Sequence, residues 1–518
     1  MPSENVFHVA DSPGFQSTIT HRLSTLGAEL EIVMIGILYT FLICGLMTLS
    51  ASAKPNIIVI LCDDLGYGDL ACYGHPHIQT PTLDQMAKEG IRFTDFYSTA
   101  PVCSPSRVGL LTGRSPNRAG VYDWIPPGNK PRADAREQVH MRANEVTIPA
   151  LLKQAGYATC MAGKWHCNAM FNSPKQAQPN DAGFDHWFGT QNNASPSHEN
   201  PNNFIRNGEA VGPMKGFSCL LVADEARSWM TSQVKEHPDQ PFFIYVAFHE
   251  PHEPIASPEE LVEKYLTFPI ETSLPVAKTR KEAEYFANVE NVDHAVARIL
   301  AAVKAVGKDQ ETLVIFTSDN GPETLNRYGG ASRSYGRPDP LRGMKLWTTD
   351  AGFRVAGIMR WPGTIKAGQV SETPVSALDF LPSFCQLAGA TVPAELHLDG
   401  TSMLPALHDA MIDRKQPLFW AYYNAINERR VAMRDGEWKV LARLEGLPKL
   451  QNVHQGNVDQ VRKAKLTDIE IYRVSEDIGE GTNLAARHPE KAAELGKKLE
   501  GLYRELVGSA QVWTAVAP

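Results

Sequence analysis

Polar and ionisable side chains follow four short apolar segments, each rich in β-branched or aromatic residues and typical of a buried strand. The segments and the residues after them are Asn56–Leu61 with Asp63 and Asp64, Tyr157–Ala162 with Lys164 and His166, Phe242–Phe248 with His249 and His252, and Leu313–Thr317 with Asp319 and Asn320. In open α/β sheets, ligands bind in the crevice outside the carboxyl ends of the strands. We therefore predict that these side chains gather at one site.

The carboxylates and the amide among them form an all-oxygen set, Asp63, Asp64, Asp319 and Asn320. Hard oxygen ligands without an imidazole or a thiolate select Ca²⁺ or Mg²⁺ over zinc. Three carboxylates in one crevice would also repel each other without a cation. The alternative is that Asp63 or Asp319 only caps a helix.

A possible nucleophile lies in the stretch Cys103–Arg107, which reads CSPSR and is followed by the apolar run Val108–Thr112. The pattern predicts a loop that opens a helix, and a helix N-terminus attracts anions. Arg107 adds a fixed cation suited to an oxyanion. A thiolate at Cys103 is one candidate, because this setting lowers a thiol pKa. A soft thiolate, however, is a poor neighbour for a hard Ca²⁺ or Mg²⁺ ion.

These motifs resemble those of the type I, formylglycine-dependent sulfatases of the alkaline-phosphatase superfamily. Cys103–Arg107 matches the C-x-P-S-R signature of that family, and Leu111–Arg114 matches its T-G-R continuation. Further similar pieces occur in the expected order along the chain: PNIIVILCDDLGYGDLACYG, TPTLDQMAKEGIRFTDFY, GKWH, PHEP, FTSDNGP, RGMKLWTTDAGFRV and EIYRVSEDIGEGTNLA. The six ordered motifs between Pro55 and about Gly363 are far more specific than the signature alone.

The resemblance implies that a separate maturation enzyme, of the formylglycine-generating or the anaerobic sulfatase-maturing type, oxidises Cys103 to formylglycine. Hydration then gives a gem-diol, whose hard oxygens remove the mismatch with the metal. One oxygen ligates the cation beside Asp63, Asp64, Asp319 and Asn320 and is the nucleophile, its pKa lowered by the metal. The family favours Ca²⁺, with Mg²⁺ as the alternative.

The resemblance also implies roles for the remaining polar residues in sulfate ester hydrolysis. Asp319 helps to take the proton of the nucleophile. His252 or Lys345 protonates the departing oxygen, and His166 deprotonates the second hydroxyl so that sulfate is expelled. Three cations neutralise the equatorial oxygens: Arg107, Lys164 and Lys345.

Other histidines compete for these roles. His249 follows the same strand as His252, but the P-H-x-P spacing of the family selects His252. His75 and His77 resemble a metal pair, yet an H-x-H in a proline-rich loop is typical of an exposed turn. For His198, contact with the substrate and a structural role are both alternatives.

The elements that must position this chemistry follow from periodicity. Apolar strands alternate with helices such as Ala283–Val303, whose apolar residues recur at spacings of three and four. This predicts an α/β fold with a large mixed, mostly parallel sheet sandwiched by helices, over residues 54–410. Beyond residue 410 we predict a smaller α+β subdomain, 411–518, on a short antiparallel sheet. Its elements are Leu418–Tyr423, Arg430–Arg434, Trp438–Leu441, Glu470–Tyr472 and the helix Pro489–Val507.

The N-terminal extension, residues 1–53, carries the apolar run Ile32–Leu49 followed by Ala51-Ser52-Ala53. An apolar stretch that ends in an A-x-A site is typical of a secretory signal peptide. No positive charge cluster precedes it, so a later start at Met34 or an uncleaved membrane anchor are the alternatives. We predict cleavage, no membrane span in the mature protein, and a secreted or periplasmic location.

Composition excludes several other classes. The net charge of -8 argues against a nucleic-acid partner, which requires a basic surface. Eight cysteines without a C-x-x-C pair are too few for a disulfide scaffold and indicate no zinc site.

We therefore predict a sulfuric ester hydrolase. Gly189–Gly212 looks like segments of exported bacterial sulfatases that act on polysaccharides, which favours a sulfated sugar or glycan. Trp124 and Trp347 are candidates to stack on sugar rings or to pack in the core. The rival functions are a phosphonate or phosphate ester hydrolase and a non-catalytic glycan-binding protein; the second predicts losses at the metal or cysteine positions, and none is lost.

Overall fold

The computed structural model describes residues 54–267 and 276–514. These described residues belong to one compact unit. The predicted signal peptide or anchor lies outside the described residues. Within those residues, no helix is both long and apolar enough to cross a membrane.

A large mixed sheet forms the centre of the molecule, as predicted. Its eleven strands are β1 (Asn56–Asp63), β2 (Ile91–Tyr97), β3 (Ala158–Lys164), β4 (His186–Thr190), β5 (Ile205–Arg206), β6 (Glu209–Ala210), β7 (Phe242–Pro251), β8 (Thr312–Ser318), β9 (Arg354–Arg360), β10 (Gln369–Ser371) and β11 (Val375–Ser376). The spatial order is β10-β2-β9-β8-β1-β7-β3-β4-β5-β6, with β11 paired to β2.

The middle of this sheet is parallel. β1 lies between β8 and β7, with Ile57 opposite Leu313 on one side and Phe243 on the other. β3 continues the parallel set beside β7, whereas β9 runs antiparallel to both of its neighbours. The carboxyl ends of β8, β1, β7 and β3 therefore meet at one edge, which is where the sequence places its polar residues.

Helices cover both faces of the sheet. They are α1 (Pro81–Glu89), α2 (Cys103–Thr112), α3 (Ile148–Gln154), α4 (Ser218–Glu236), α5 (Glu259–Leu266), α6 (Arg280–Ala305), α7 (Asp350–Phe353), α8 (Phe380–Ala388), α9 (Val458–Lys463) and α10 (Pro489–Ser509). Successive residues of β1 point to opposite sides: Ile57 packs in one hydrophobic core with residues of α2 and α8, and Ile58 in another with residues of α4 and α6. Because both faces are buried, the strand is apolar throughout rather than alternating.

The smaller sheet is antiparallel, in the order β12 (Leu418–Ala421), β13 (Val431–Asp435), β14 (Trp438–Glu445) and β15 (Lys465–Arg473). Each predicted C-terminal strand is present, although β15 begins earlier than expected. With α9 and α10 it forms the predicted α+β arrangement. The domain boundary at residue 410 stays a prediction.

A buried ion cluster links the small sheet to the segment after the active-site loops. The Lys439 ammonium on β14 lies 2.5 Å from Asp350 and 3.8 Å from Glu480, and all three side chains are fully buried. The same ammonium stands 4.2 Å above the ring of Phe353. Burial raises the pKa of Glu480 to about 7, although Lys439 opposes the shift.

We expect Lys439→Met to lower the free energy of unfolding by about 3–5 kcal/mol, because two carboxyl groups remain buried without their ammonium. Urea unfolding followed by fluorescence measures the change. Lys498→Met is the matched control: its ion pair with Asp435 is partly exposed, so about 1 kcal/mol or less is expected. Equal losses in both variants would contradict the assigned role of the cluster.

Candidate active site

The residues that sequence analysis selected lie together at the carboxyl edge of the parallel strands. Asp63 ends β1, Lys164 ends β3, and Cys103 is the first residue of α2. Asp319 and Asn320 follow β8 directly, and His252 follows β7. All of the predicted site residues are buried except His252, which is half-buried.

Four of these residues could hold a metal ion. One ligand atom from each of Asp63, Asp64, Cys103 and His252 lies within 4.8 Å of the others. Three of them belong to the predicted ligand set, whereas the fourth, His252, is predicted to be a proton donor. Asp319 touches the cluster through Oδ1, which accepts the backbone N–H of Asp64 at 3.3 Å.

The Asn320 amide adds a buried oxygen that has no hydrogen-bond partner among the described residues. Its nitrogen donates to Asp64 Oδ1 at 2.7 Å. If the amide group were rotated by 180°, its oxygen would take the place of the nitrogen beside Asp64. The orientation of an amide is assigned from its neighbouring groups. Carboxylates plus an unsatisfied amide oxygen fit a hard cation of the Ca²⁺ or Mg²⁺ type.

Each carboxylate of the cluster has a basic side chain in contact with it, and Asp63 lies 3.8 Å from Arg107 as a second partner. Lys164 contacts Asp63, Lys345 lies 2.7 Å from Asp64, and Arg107 Nη2 lies 2.7 Å from Asp319.

The pKa values of two carboxyl groups move in opposite directions. Burial alone would raise the pKa of Asp63, but Lys164, with help from His252 and Arg107, lowers it well below its usual range. Burial raises the pKa of Asp319 to about 7, and the nearby Asp63 adds to the shift while Arg107 opposes it. Neighbouring carboxyl groups cannot all ionise freely, because their negative charges repel each other. This repulsion supports the need for a cation.

Cys103 begins α2 itself, rather than a loop before it. Val102 is the N-cap, and the thiol lies 3.4 Å from Asp63 Oδ1. Burial raises the pKa of the Cys103 thiol, and Asp63 raises it further, more than Lys164 lowers it. The expectation that this setting lowers the thiol pKa is therefore wrong, because burial and Asp63 outweigh the neighbouring lysines.

His166 is held in one tautomer. Its Nε2 lies 3.0 Å from the carbonyl oxygen of Ile125, so this nitrogen carries the hydrogen and donates. Nδ1 is buried with no partner among the described residues and keeps its lone pair. Burial, reinforced by Lys164 and Arg107, holds the pKa of His166 well below its ordinary value, so the ring is a neutral acceptor.

His252 presents its other nitrogen to the site. Its Nδ1 donates to the carbonyl oxygen of Glu253 at 2.5 Å, which leaves Nε2 3.6 Å from Asp64. Burial lowers the pKa of His252, although Asp64 opposes the shift.

Left-handed backbone marks the turns that aim these groups. Asp64 and His166 have φ of 66° and 51°, and Leu346, next to Lys345, has φ of 66°. Such conformations cost energy for residues other than glycine and cluster at functional sites. Gly321, directly after Asn320, permits a further close approach, because an added Cβ would lie 1.6 Å from the carbonyl oxygen of Ala351.

The competing histidines stand elsewhere. His249 is buried and bonds the Thr190 hydroxyl at 2.8 Å, and His198 is buried 3.7 Å from Glu250. His75 accepts the backbone N–H of His77 and of Ile78, so it closes a turn. None of the four joins the metal-type cluster.

A cavity of about 390 Å³ opens above Cys103 and is lined also by His166, His252 and Lys345. Trp124 lines it, whereas Trp347 does not. Its remaining polar and aromatic walls come from loops that sequence analysis did not single out residue by residue: Asp123, Asn192, Asn193, Glu323, Arg327, Tyr328, Asn424 and Gln451. These loops lack a local pattern that marks them, apart from the segment Gly189–Gly212, which contains Asn192 and Asn193.

Comparison with known proteins agrees with this geometry. A family model described as Sulfatase matches residues 55–390, and one described as N-sulphoglucosamine sulphohydrolase, C-terminal, matches residues 344–445. The N-acetylgalactosamine-6-sulfatase of Rattus norvegicus is 35% identical over 399 residues, which cover 74% of this chain and 71% of the relative. Arylsulfatase A of Homo sapiens is 34% identical over 481 residues, 84% of each chain.

Solved structures show the same fold. The crystal structure of Ps i-CgsB superposes with a TM-score of 0.71 at 27% identity and covers 89% of this chain and 95% of its own. Its complex with k-i-k-neocarrahexaose gives the same TM-score at 26% identity, over 90% of this chain and 95% of its own. The chain is therefore a sulfatase and belongs to the type I sulfatase family of the alkaline-phosphatase superfamily.

Proposed function

We propose that this enzyme hydrolyses sulfate monoesters of a sulfated sugar or glycan, with a formylglycine made from Cys103 and one divalent cation, Ca²⁺ in preference to Mg²⁺. The observation that carries the proposal is the position of Cys103: a protonated thiol at a helix N-terminus, 3.4 Å from a carboxylate of a hard-oxygen cluster. A protonated thiol at this position is a poor ligand for a hard cation and a poor nucleophile toward the substrate. An aldehyde hydrate suits both.

Asp63, Asp64, Asp319 and Asn320 would hold the cation, together with the modified residue 103. Bound there, the cation and the formylglycine hydrate supply a deprotonated oxygen nucleophile and compensate negative charge.

The chain's own cations bind and orient the sulfate. Arg107 is fixed by two contacts to Asp319, at 2.9 and 2.7 Å, and by a bond from Nη1 to the carbonyl oxygen of Lys164 at 3.0 Å. Burial would lower the pKa of Lys345, but Asp64 raises it well above its usual value. Lys345 therefore keeps its proton and acts as a fixed charge. Such preorganised charge is the main means of stabilising transferring oxyanions.

Two histidines handle protons. The free lone pair on His166 Nδ1 suits removal of a hydroxyl proton in the step that releases sulfate. His252 Nε2 faces the site, and Asp64 beside it favours the protonated ring. In that protonated form His252 would deliver a proton to the departing sugar oxygen. Since Lys345 holds its proton strongly, we assign the acid role to His252.

The substrate class is supported by the relatives. One of them is an N-acetylgalactosamine-6-sulfatase, and Ps i-CgsB was solved with k-i-k-neocarrahexaose. The partners we propose are a sulfated glycan and a formylglycine-generating or anaerobic sulfatase-maturing enzyme. Secretion or export to the periplasm, after loss of the predicted signal peptide, accords with a polymeric substrate.

Maturation is the first point to test. In protein made together with a maturation enzyme, we expect the tryptic peptide ending at Arg107 to show the mass of formylglycine in place of Cys103. The peptide that contains Cys385, another buried cysteine, should keep its thiol. An unmodified Cys103 in cells that convert a control sulfatase would refute the proposed nucleophile.

Metal binding is tested by calorimetry on the mature protein after removal of ions with a chelator. We expect one Ca²⁺ per chain, bound more tightly than Mg²⁺, and a loss of at least about tenfold in affinity for Asp64→Asn, because ligand charge sets Ca²⁺ affinity. Asp224→Asn, a partly exposed acid of α4, is the control and should bind normally. Unchanged affinity in Asp64→Asn would place the ion elsewhere.

Leaving-group dependence tests His252. For His252→Ala we expect kcat to fall roughly a hundredfold or more with a sugar sulfate. The loss should be much smaller with 4-nitrophenyl sulfate, because nitrophenolate departs without a proton. His294→Ala, on the exposed side of α6, should leave both rates unchanged. An equal loss with both esters would contradict the acid role. Matched phosphonate and phosphate diester substrates, assayed in parallel, test the sulfate preference itself.

A further inference from the structure

We propose that Tyr328, supported by Arg327 and Glu323, forms a platform that binds a sugar ring of the sulfated substrate. The inference rests on the proposed function and adds to it a residue that selects for a glycan. It concerns the rim of the cavity, at a distance from the groups that react.

Exposure is the first argument. Among the residues that the structure describes, only four large hydrophobic or aromatic side chains are exposed: Leu325, Tyr328, Val370 and Met411. Tyr328 is 40% exposed, and it alone of the four lines the cavity above Cys103. A large aromatic group left open at the mouth of an active site indicates a binding surface for a ligand with an apolar face.

Tyr328 lies against an arginine that is itself held by an ion pair. Arg327 makes a two-pronged ion pair with Glu323, with distances of 2.6 and 2.5 Å, and its guanidinium carbon stands 4.9 Å from the centre of the Tyr328 ring. Glu323 is buried and neutralises the arginine. Arg327 therefore supports the ring and leaves no free positive charge for a second sulfate.

The loop that carries the platform is closed on itself and tied to the catalytic residues. Ala331 is buried, and its carbonyl accepts the N–H of Asn326 at 2.9 Å, so that Tyr328 sits within a tight turn. Arg333 binds Glu253, the neighbour of His252, through its backbone N–H at 2.7 Å and its side chain at 3.0 Å. These contacts connect the loop that carries Tyr328 to the segment that carries His252, the residue that protonates the leaving oxygen.

The rest of the cavity wall matches a sugar. Asn192, Asn193, Asn424 and Gln451 line it with neutral amides, and the Asn192 oxygen is buried with no partner among the described residues. Hydroxyl groups satisfy such amides, while the C–H face of a pyranose packs on an aromatic ring. The ligand class is therefore a neutral, hydroxyl-rich ring next to the sulfated carbon.

The test compares Tyr328→Ala, Tyr328→Phe and Leu325→Ala, the last an exposed residue of the same loop outside the cavity lining. The substrate is whichever wild type hydrolyses fastest among N-acetylgalactosamine 6-sulfate and sulfated carrageenan oligosaccharides. We expect Tyr328→Ala to raise KM about three- to tenfold with little change in kcat. Tyr328→Phe and Leu325→Ala should behave as wild type, because the ring face, not the hydroxyl, makes the contact.

Inorganic sulfate separates the platform from the sulfate site. Its inhibition constant should be the same in wild type and Tyr328→Ala; a parallel rise would mean that the substitution damages the whole site and would overturn the proposal. An unchanged KM in Tyr328→Ala would overturn it as well.

The two proposals fail in distinguishable ways. If the enzyme hydrolyses 4-nitrophenyl sulfate but neither hydrolyses nor binds any sugar sulfate, the proposed platform is refuted and the proposed sulfatase chemistry is retained. If no sulfate ester is hydrolysed, the platform is tested by calorimetry, with the same oligosaccharides binding to wild type and to Tyr328→Ala. Weaker binding by the variant would support the platform. Equal binding, or no binding by either protein, would refute it.

Discussion

The site depends on the burial of three carboxyl groups around the start of one helix. Asp63, Asp64 and Asp319 lie where the central strands end, and burial without compensation would leave their charges in conflict. Three basic side chains compensate them: Lys164 contacts Asp63, Lys345 contacts Asp64, and Arg107 contacts Asp319 and, at 3.8 Å, Asp63. Asp63 and Asp64 also belong to the group of residues that could hold a metal ion. The need to balance this charge determines which residues surround Cys103 and how each is oriented.

The parallel sheet provides the rigidity that such a balance requires. β1 is buried on both faces and paired on both edges, so the residues at its end have little freedom to move. Left-handed turns at Asp64 and His166 then direct their side chains into the crevice. The small sheet is coupled to the same region through Lys439 and Asp350, five residues beyond Lys345. The same contacts therefore contribute both to the stability of the fold and to the order of the site.

Much of the fold was predictable because its signals are local. The four central strands were recognised from continuous apolar runs, and α6 from its three-and-four spacing, with ends that differ by a few residues from those observed. The pKa of Cys103 was not predictable in the same way. A helix N-terminus is visible in the sequence, whereas the burial of the thiol and its closeness to Asp63, which raise the pKa, come from the tertiary structure.

The sequence by itself determined the chemistry available and the edge of the sheet at which it gathers. Residue type is written in the sequence, and parallel strands bring their carboxyl ends to one side. Only the tertiary structure decided which ammonium pairs with which carboxylate and which nitrogen of His166 is free. The tertiary structure also decided that Tyr328 lines the cavity above Cys103. These features depend on distances between residues far apart in the chain, and a local pattern of polarity and period carries no information about such distances.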